Sequence, residues 1–123
     1  MIILFFQTNE QIRVQSLKLL GSLAFNTSSL ILSHLETIVK GLVSLTHEEE
    51  PQVAIHACRV LEIISRSLTN TKSIDASTKF WRLSFDPIIS LLQHSQTSIR
   101  ETACDCLGNI RSEMLAQLSV RYF

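Results

Sequence analysis

Three stretches of the chain repeat one another without gaps: IRVQSLKLLGSL from Ile12, VAIHACRVLEII from Val53 and IRETACDCLGNI from Ile99. Repetition constrains a fold strongly, because each copy must adopt the same local structure and bury its apolar face against its neighbours. Take Ile12, Val53 and Ile99 as position zero. The fourth residue beyond is small in every copy: Ser16, Ala57 and Ala103. The eighth is Leu20, Leu61 and Leu107, and the eleventh is Leu23, Ile64 and Ile110. Small or apolar residues at these offsets describe one face of an α-helix, expected to face the core. The small fourth residue admits a close neighbouring backbone.

The register also runs backwards. Eight residues before position zero stand Leu4, Leu45 and Leu91; ten before stand Ile2, Val43 and Ile89; eleven before stand Met1, Leu42 and Ile88. A second apolar helix therefore precedes each of the first, across the polar links QTNEQ, HEEEPQ and HSQTS. Pro51 falls in one of these turns, where a missing N–H does little harm. The copies are spaced by 41 and then 46 residues. The five additional residues are expected in TNTKSIDAST, Thr69 to Thr78, which is polar, lacks periodicity and reads as the longest loop.

Helix pairs recurring every 40–47 residues or so are the pattern of HEAT and armadillo arrays. The second helices add detail. Ile12-Arg13, Ser16, Leu20-Gly21 and Leu23 resemble the second helix of a HEAT repeat, as do Ile99-Arg100, Ala103, Leu107-Gly108 and Ile110. The middle copy departs twice, with Ala54 for the arginine and Glu62 for the glycine. The resemblance covers nearly the whole chain. It implies an all-α fold, an α-α superhelix (HEAT/armadillo-like solenoid) of roughly three stacked helix pairs. The expected divisions are a partial repeat at 1–25, repeats at 29–68 and 78–111, and the start of a further helix at 112–123. Neither MIILFF nor LAQLSVRYF has the polar outer face of a terminal repeat, so both ends are expected to meet flanking repeats of a longer chain.

Composition narrows the function. The 123 residues are 46% hydrophobic with three glycines and two prolines, enough to bury a core and poor in chain breakers. The net charge of +0, with no basic block, argues against nucleic acid and anionic membranes as partners. The opening apolar run of six residues is too short for a secretory signal or a membrane span. Three cysteines fit no disulfide framework, which points to a reducing intracellular compartment, cytoplasm or nucleus.

No chemistry-bearing constellation stands out. Cys58 and Cys104 share a column with Leu17, and Cys106 shares one with Leu19 and Val60. Cysteine there reads as a small buried hydrophobe. Cys104 and Cys106 lie two apart, about 200° around a helix, so they cannot share a metal or a disulfide. His56 and Cys58 have the same unsuitable spacing. His34, His47 and His94 read as surface or capping residues. No cofactor, metal or small molecule is called for, and the reading is non-catalytic. Phe80, Trp81 and Phe85 read as core at the opening of a first helix, with Asp86-Pro87 as a cap and first turn, or Pro87 as a kink.

One charge pairing is expected. HEAT repeats stack a turn carboxylate against a helix arginine of an adjoining repeat. Only Glu48 is acidic at the matching turn position, and its own copy lacks the arginine, so Glu48 is expected to pair with Arg13 or Arg100. The resemblance further implies that the second helices line the concave side. Their non-core positions include Gln15, Lys18, His56, Arg59, Arg66, Thr102 and Asp105, a mixed row with a mild basic lean. The implied function is a protein–protein interaction scaffold; the alternative is a transport-receptor or adaptor segment that binds a cargo peptide on that face.

Overall fold

The computed structural model describes residues 9–26, 28–69 and 74–110. Among them are six helices and no strand: α1 (Glu10–Asn26), α2 (Ser28–Ser33), α3 (Leu35–Leu45), α4 (Pro51–Thr69), α5 (Ile74–Leu91) and α6 (Thr97–Leu107). The expected helix over the first residues and the further helix at 112–123 lie outside the described residues.

The helices form two layers. α1, α4 and α6 lie side by side with α4 in the middle, and α3 packs beside α5 in the second layer. α4 also packs against α3 and α5, which joins the layers. Local sequence explains several boundaries. The Asn9 side chain accepts hydrogen bonds from the Gln11 and Ile12 amides at 2.9 and 3.2 Å, capping α1. Pro51 is the first residue of α4, where its absent N–H would have had no helical partner anyway.

The 46-residue period is exact in the second layer, formed by α2, α3 and α5. Ile31, Leu35, Ile38, Val39, Leu42 and Leu45 are buried, and so are their counterparts Ser77, Trp81, Ser84, Phe85, Ile88 and Leu91. The one difference is continuity: α2 and α3 break at His34, where α5 runs on through Phe80. Phe80 and Trp81 are buried edge to face, with ring centroids 5.0 Å apart. The buried serines do not cost an unpaired hydroxyl. Ser84 donates to the Phe80 carbonyl at 2.7 Å and Ser65 to the Glu62 carbonyl at 2.7 Å.

Four expectations about helix limits need correction. The stretch from Thr69 to Thr78 is not one long loop, because α5 already begins at Ile74. Relative to α1, α4 is two residues longer, and its link to α5 spans four positions where the α1–α2 link spans one. Those differences account for the longer second period. Phe80, Trp81 and Phe85 are core as expected but lie in the body of α5, not at its opening. Pro87 lies inside α5, so Asp86-Pro87 is not a cap and first turn; the ring there removes one helical hydrogen bond. α6 ends at Leu107, leaving Ile110 beyond it.

The zero column also behaves differently from expectation. Val53 and Ile99 are fully buried, but Ile12 is 43% exposed. Leu19 is 52% exposed while its counterparts Val60 and Cys106 are buried. The fifth column fails at the other end: Leu17 and Cys58 are buried, but Cys104 is exposed. Both failures have one cause. The Cys106 thiol on α6 points back at the Cys58 carbonyl of α4, at 4.0 Å. Gly21 of α1 faces Val60 and Ile63 of α4. The zero and seventh columns thus look back to the preceding second helix, and the fifth looks forward to the next. Among the described residues α4 has a second helix on both sides, α1 has one only on its forward side and α6 one only on its backward side. Ile89 is likewise 36% exposed in place of the expected core position.

Ala57 and Gly21 lie at close approaches and predict opposite responses. Ala57 is fully buried in α4 between its neighbours. Ala57→Leu should overpack that seam and destabilise by about 1–3 kcal/mol. A Cβ added at Gly21 would meet Ile63 Cδ1 at 3.4 Å, an ordinary contact. Gly21→Ala should therefore be neutral, or stabilising by up to about 1 kcal/mol through helix propensity. Urea unfolding followed by circular dichroism measures both; equal midpoints for the Ala57→Leu variant and the parent would contradict the packing described.

Candidate functional site

The turn between α3 and α4 receives an arginine from α1. Arg13 reaches Glu48 Oε1 at 2.7 Å and Glu50 Oε2 at 3.5 Å. The expected pairing of Glu48 across the repeats is therefore present, with Arg13 as its partner. The Arg13 side chain is only 8% exposed, so the pair is not an ordinary surface salt bridge. Glu50 Oε2 is buried and accepts no hydrogen bond among the described residues. The nearby guanidinium is what offsets its charge.

Arg100 does something different. Its guanidinium donates to the His94 and Ser95 carbonyls at 2.7 and 3.1 Å and to Thr97 Oγ1 at 3.0 Å. It thereby closes the turn of its own helix pair. The cause lies in the sequence: Ala54 stands where α4 would have carried an arginine towards that turn, and His94 stands where Glu48 stands one period earlier. His94 itself accepts the Gln96 amide on Nδ1 at 3.0 Å.

The exposed face of α1, α4 and α6 carries the candidate row. Two hollows divide it. One, of about 490 Å³, lies between α1 and α4. Leu17, Gly21, Val60 and Ile63 form its apolar lining; Lys18, Ser22, His56 and Arg59 form its polar rim; Phe25 stands at its end. This groove unites three row residues: Lys18, His56 and Arg59. Gln15 instead borders a second hollow on the open side of α1, with Ile12, Ser16 and Leu19. Arg66 is exposed but pairs with Glu62 at 3.4 Å, which reduces the expected basic lean. Thr102 and Asp105 lie on α6 outside both hollows. Thr102 donates to the Ser98 carbonyl at 2.8 Å.

The groove includes one residue that the sequence reading missed. Phe25 is 70% exposed, the most open large hydrophobic residue among those described. It occupies the same column as Arg66, thirteen beyond position zero, so the repeat register contains the signal. His56 donates from Nδ1 to the Gln52 carbonyl at 2.7 Å, since a carbonyl only accepts.

Among the described residues no cluster of histidine, cysteine and carboxylates is placed to hold a metal ion. Cys58 and Cys106 are buried and Cys104 is exposed, all three as free thiols. Burial pushes the Cys58 thiol up to about 12. Burial also pushes Cys106 up, helped by the nearby Cys58, Glu62 and Asp105. Two buried thiols held neutral are poor nucleophiles. No described helix is long and apolar enough to cross a membrane.

Residues 85–110 match the family model of the HEAT repeat. That segment is similar to a HEAT repeat. The match spans the second half of α5, the turn closed by Arg100, and α6. The same helix–turn–helix arrangement one period earlier, in α3 and α4, makes the fold a HEAT-like helical repeat. No curated protein matches the chain. HEAT repeats are generally protein-interaction motifs and generally non-catalytic.

Two measurements test this geometry. In a double-mutant cycle on Arg13→Ala and Glu48→Ala, the coupling should be about 1–2 kcal/mol, above that of exposed pairs. A coupling of zero would mean that the two charges do not cooperate. The thiols predict an alkaline response. An unfolded cysteine ionises near pH 8.5 or so, whereas folded Cys58 holds its proton to about 12. The unfolded state therefore sheds protons first, and this contribution to stability is lost as pH rises from about 8.5 towards 12. Cys58→Ala should show a shallower alkaline loss of stability than the parent.

Proposed function

We propose that the chain is a non-catalytic protein-interaction scaffold that presents the exposed face of α1, α4 and α6 to another protein. The observation that carries this reading is the division of the row residues. Lys18, His56 and Arg59 gather around one groove between α1 and α4. An extended helical-repeat surface binds through area and pattern, not through a closed pocket. The free cysteines, two of them buried, support a reducing intracellular compartment. The adaptor reading, in which a cargo peptide lies along the face, is favoured by the groove itself, which is narrow and apolar with charged edges.

Photo-crosslinking inside cells tests this. A photoreactive amino acid at Gln15, Arg59 or Thr102 should yield discrete crosslinked proteins. The same group at Lys40 or Arg82, exposed on the other layer, should yield few. Crosslinks confined to Lys40 and Arg82 would reverse the assignment of the binding face.

A further inference from the structure

Resting on the reading of this face as an interaction surface, we propose that the α1–α4 groove takes a short acidic peptide segment. The segment carries one large apolar side chain. Its carboxylates pair with Lys18 and Arg59, and its apolar side chain seats over Gly21, between Val60 and Phe25.

Charge is the first support. Among the described residues, Arg13, Lys40, Arg66 and Lys79 each have a carboxylate within 4 Å. Lys18 and Arg59 have none, although both are exposed and both border the groove. Arg82 lies on the other layer and Arg100 is held by the carbonyls of its turn, so Lys18 and Arg59 put two unpaired cations at the groove's sides, one from each helix. A ligand with carboxylates on both sides of an apolar centre complements that arrangement.

Shape is the second support. Gly21 is itself buried against Val60 and Ile63, so it forms floor and not opening, and a side chain seats above it. Leu17, Val60 and Ile63 make the lining apolar, and Phe25 leaves an aromatic surface at the end. Such a seat rewards a large apolar side chain and gives little to a purely charged polymer. A phosphate backbone would engage the two cations but leave this lining unused. The size fits a short segment. Leu17 to Phe25 spans about 12 Å at the helical rise per residue, and the groove holds about 490 Å³. That is room for about two turns of helix with one anchoring side chain, not for a globular surface.

The test uses the whole chain and fluorescein-labelled peptides of about twelve residues, longer than the groove at 1.5 Å per residue. One peptide has a single phenylalanine among glutamates and alanines. A second replaces the glutamates by lysines, and a third replaces the phenylalanine by serine. Fluorescence anisotropy should show the acidic phenylalanine peptide binding at least about ten-fold more tightly than either control. High salt should weaken it. The double variant Lys18→Glu/Arg59→Glu should lose about ten-fold for the acidic peptide and gain affinity for the lysine peptide. Phe25→Ser should weaken the acidic peptide several-fold. These side chains are exposed, so circular dichroism should show unchanged folding. Equal binding of the acidic and lysine peptides would overturn the proposal. So would unchanged affinity in the charge-reversed variant, or no binding at millimolar peptide. Crosslinks from Gln15 and Thr102 together with absent peptide binding would overturn this proposal alone; loss of both would overturn the interaction surface beneath it.

Discussion

The structure depends on the seating of α4 between α1 and α6. α4 is buried along two flanks at once: Val60 on the side of α1, Cys58 on the side of α6. The small residues permit this. Ala57 is fully buried, Gly21 brings α1 within contact of Val60 and Ile63, and Ala103 is buried on α6. Close approach lets dispersion and apolar burial act over the length of the helices. Beyond the end of α6 the seam is stitched by polar contacts. Asn109 donates to Ser65 Oγ at 2.9 Å, and Thr69 donates to the Asn109 carbonyl at 2.6 Å. With the second helices so placed, α3 and α5 have one consistent surface to cover.

The turns between paired helices are held by arginines in two ways, and the irregularity of the repeat decides which. Arg13 crosses to the turn of the next pair because two carboxylates wait there. No arginine reaches the turn at 92–96 from α4, because Ala54 occupies that position. Arg100 folds back and satisfies that turn's carbonyls itself. Both solutions use the same property, a planar group with several fixed donors, which lysine would not reproduce. Departures of the middle copy from the repeat pattern are thus accompanied by a change of partner, not by an unsatisfied turn.

The two layers differ in what they leave at the surface. On α3 and α5, Glu36 accepts from Lys40 at 2.9 Å and sits 3.6 Å from Lys79; this pairing with Lys40 holds its carboxyl below the usual range. Two of the cations there, Lys40 and Lys79, share that one carboxylate, while Arg82 has none within 4 Å among the described residues. On the face of α1 and α4, Lys18 and Arg59 stand without carboxylates beside an apolar groove and an exposed phenylalanine. A surface whose charges are already paired has little left to offer a partner. One with unanswered charges around an apolar strip has both steering and anchoring to offer.

The sequence by itself determined the fold class, the order of paired helices and most of the core. Those follow from short-range periodicity: Leu42, Leu45, Ile88, Leu91, Ala57 and Ala103 sit where a helix repeated along a stack must be buried. It also identified Glu48 as the turn carboxylate of an inter-repeat pair, because only one copy has the acid and lacks the arginine. What only the tertiary structure decided is which flank of each helix has a neighbour. Ile12, Leu19 and Cys104 carry the same columns as buried residues elsewhere, yet they are exposed, because among the described residues α1 and α6 each have a second helix on one flank only. The choice between Arg13 and Arg100 for Glu48, and the gathering of Lys18, Arg59 and Phe25 at one groove, likewise required the distance between helices. A periodic sequence specifies a helix face; which neighbouring helix covers that face is set by packing between segments far apart in the chain.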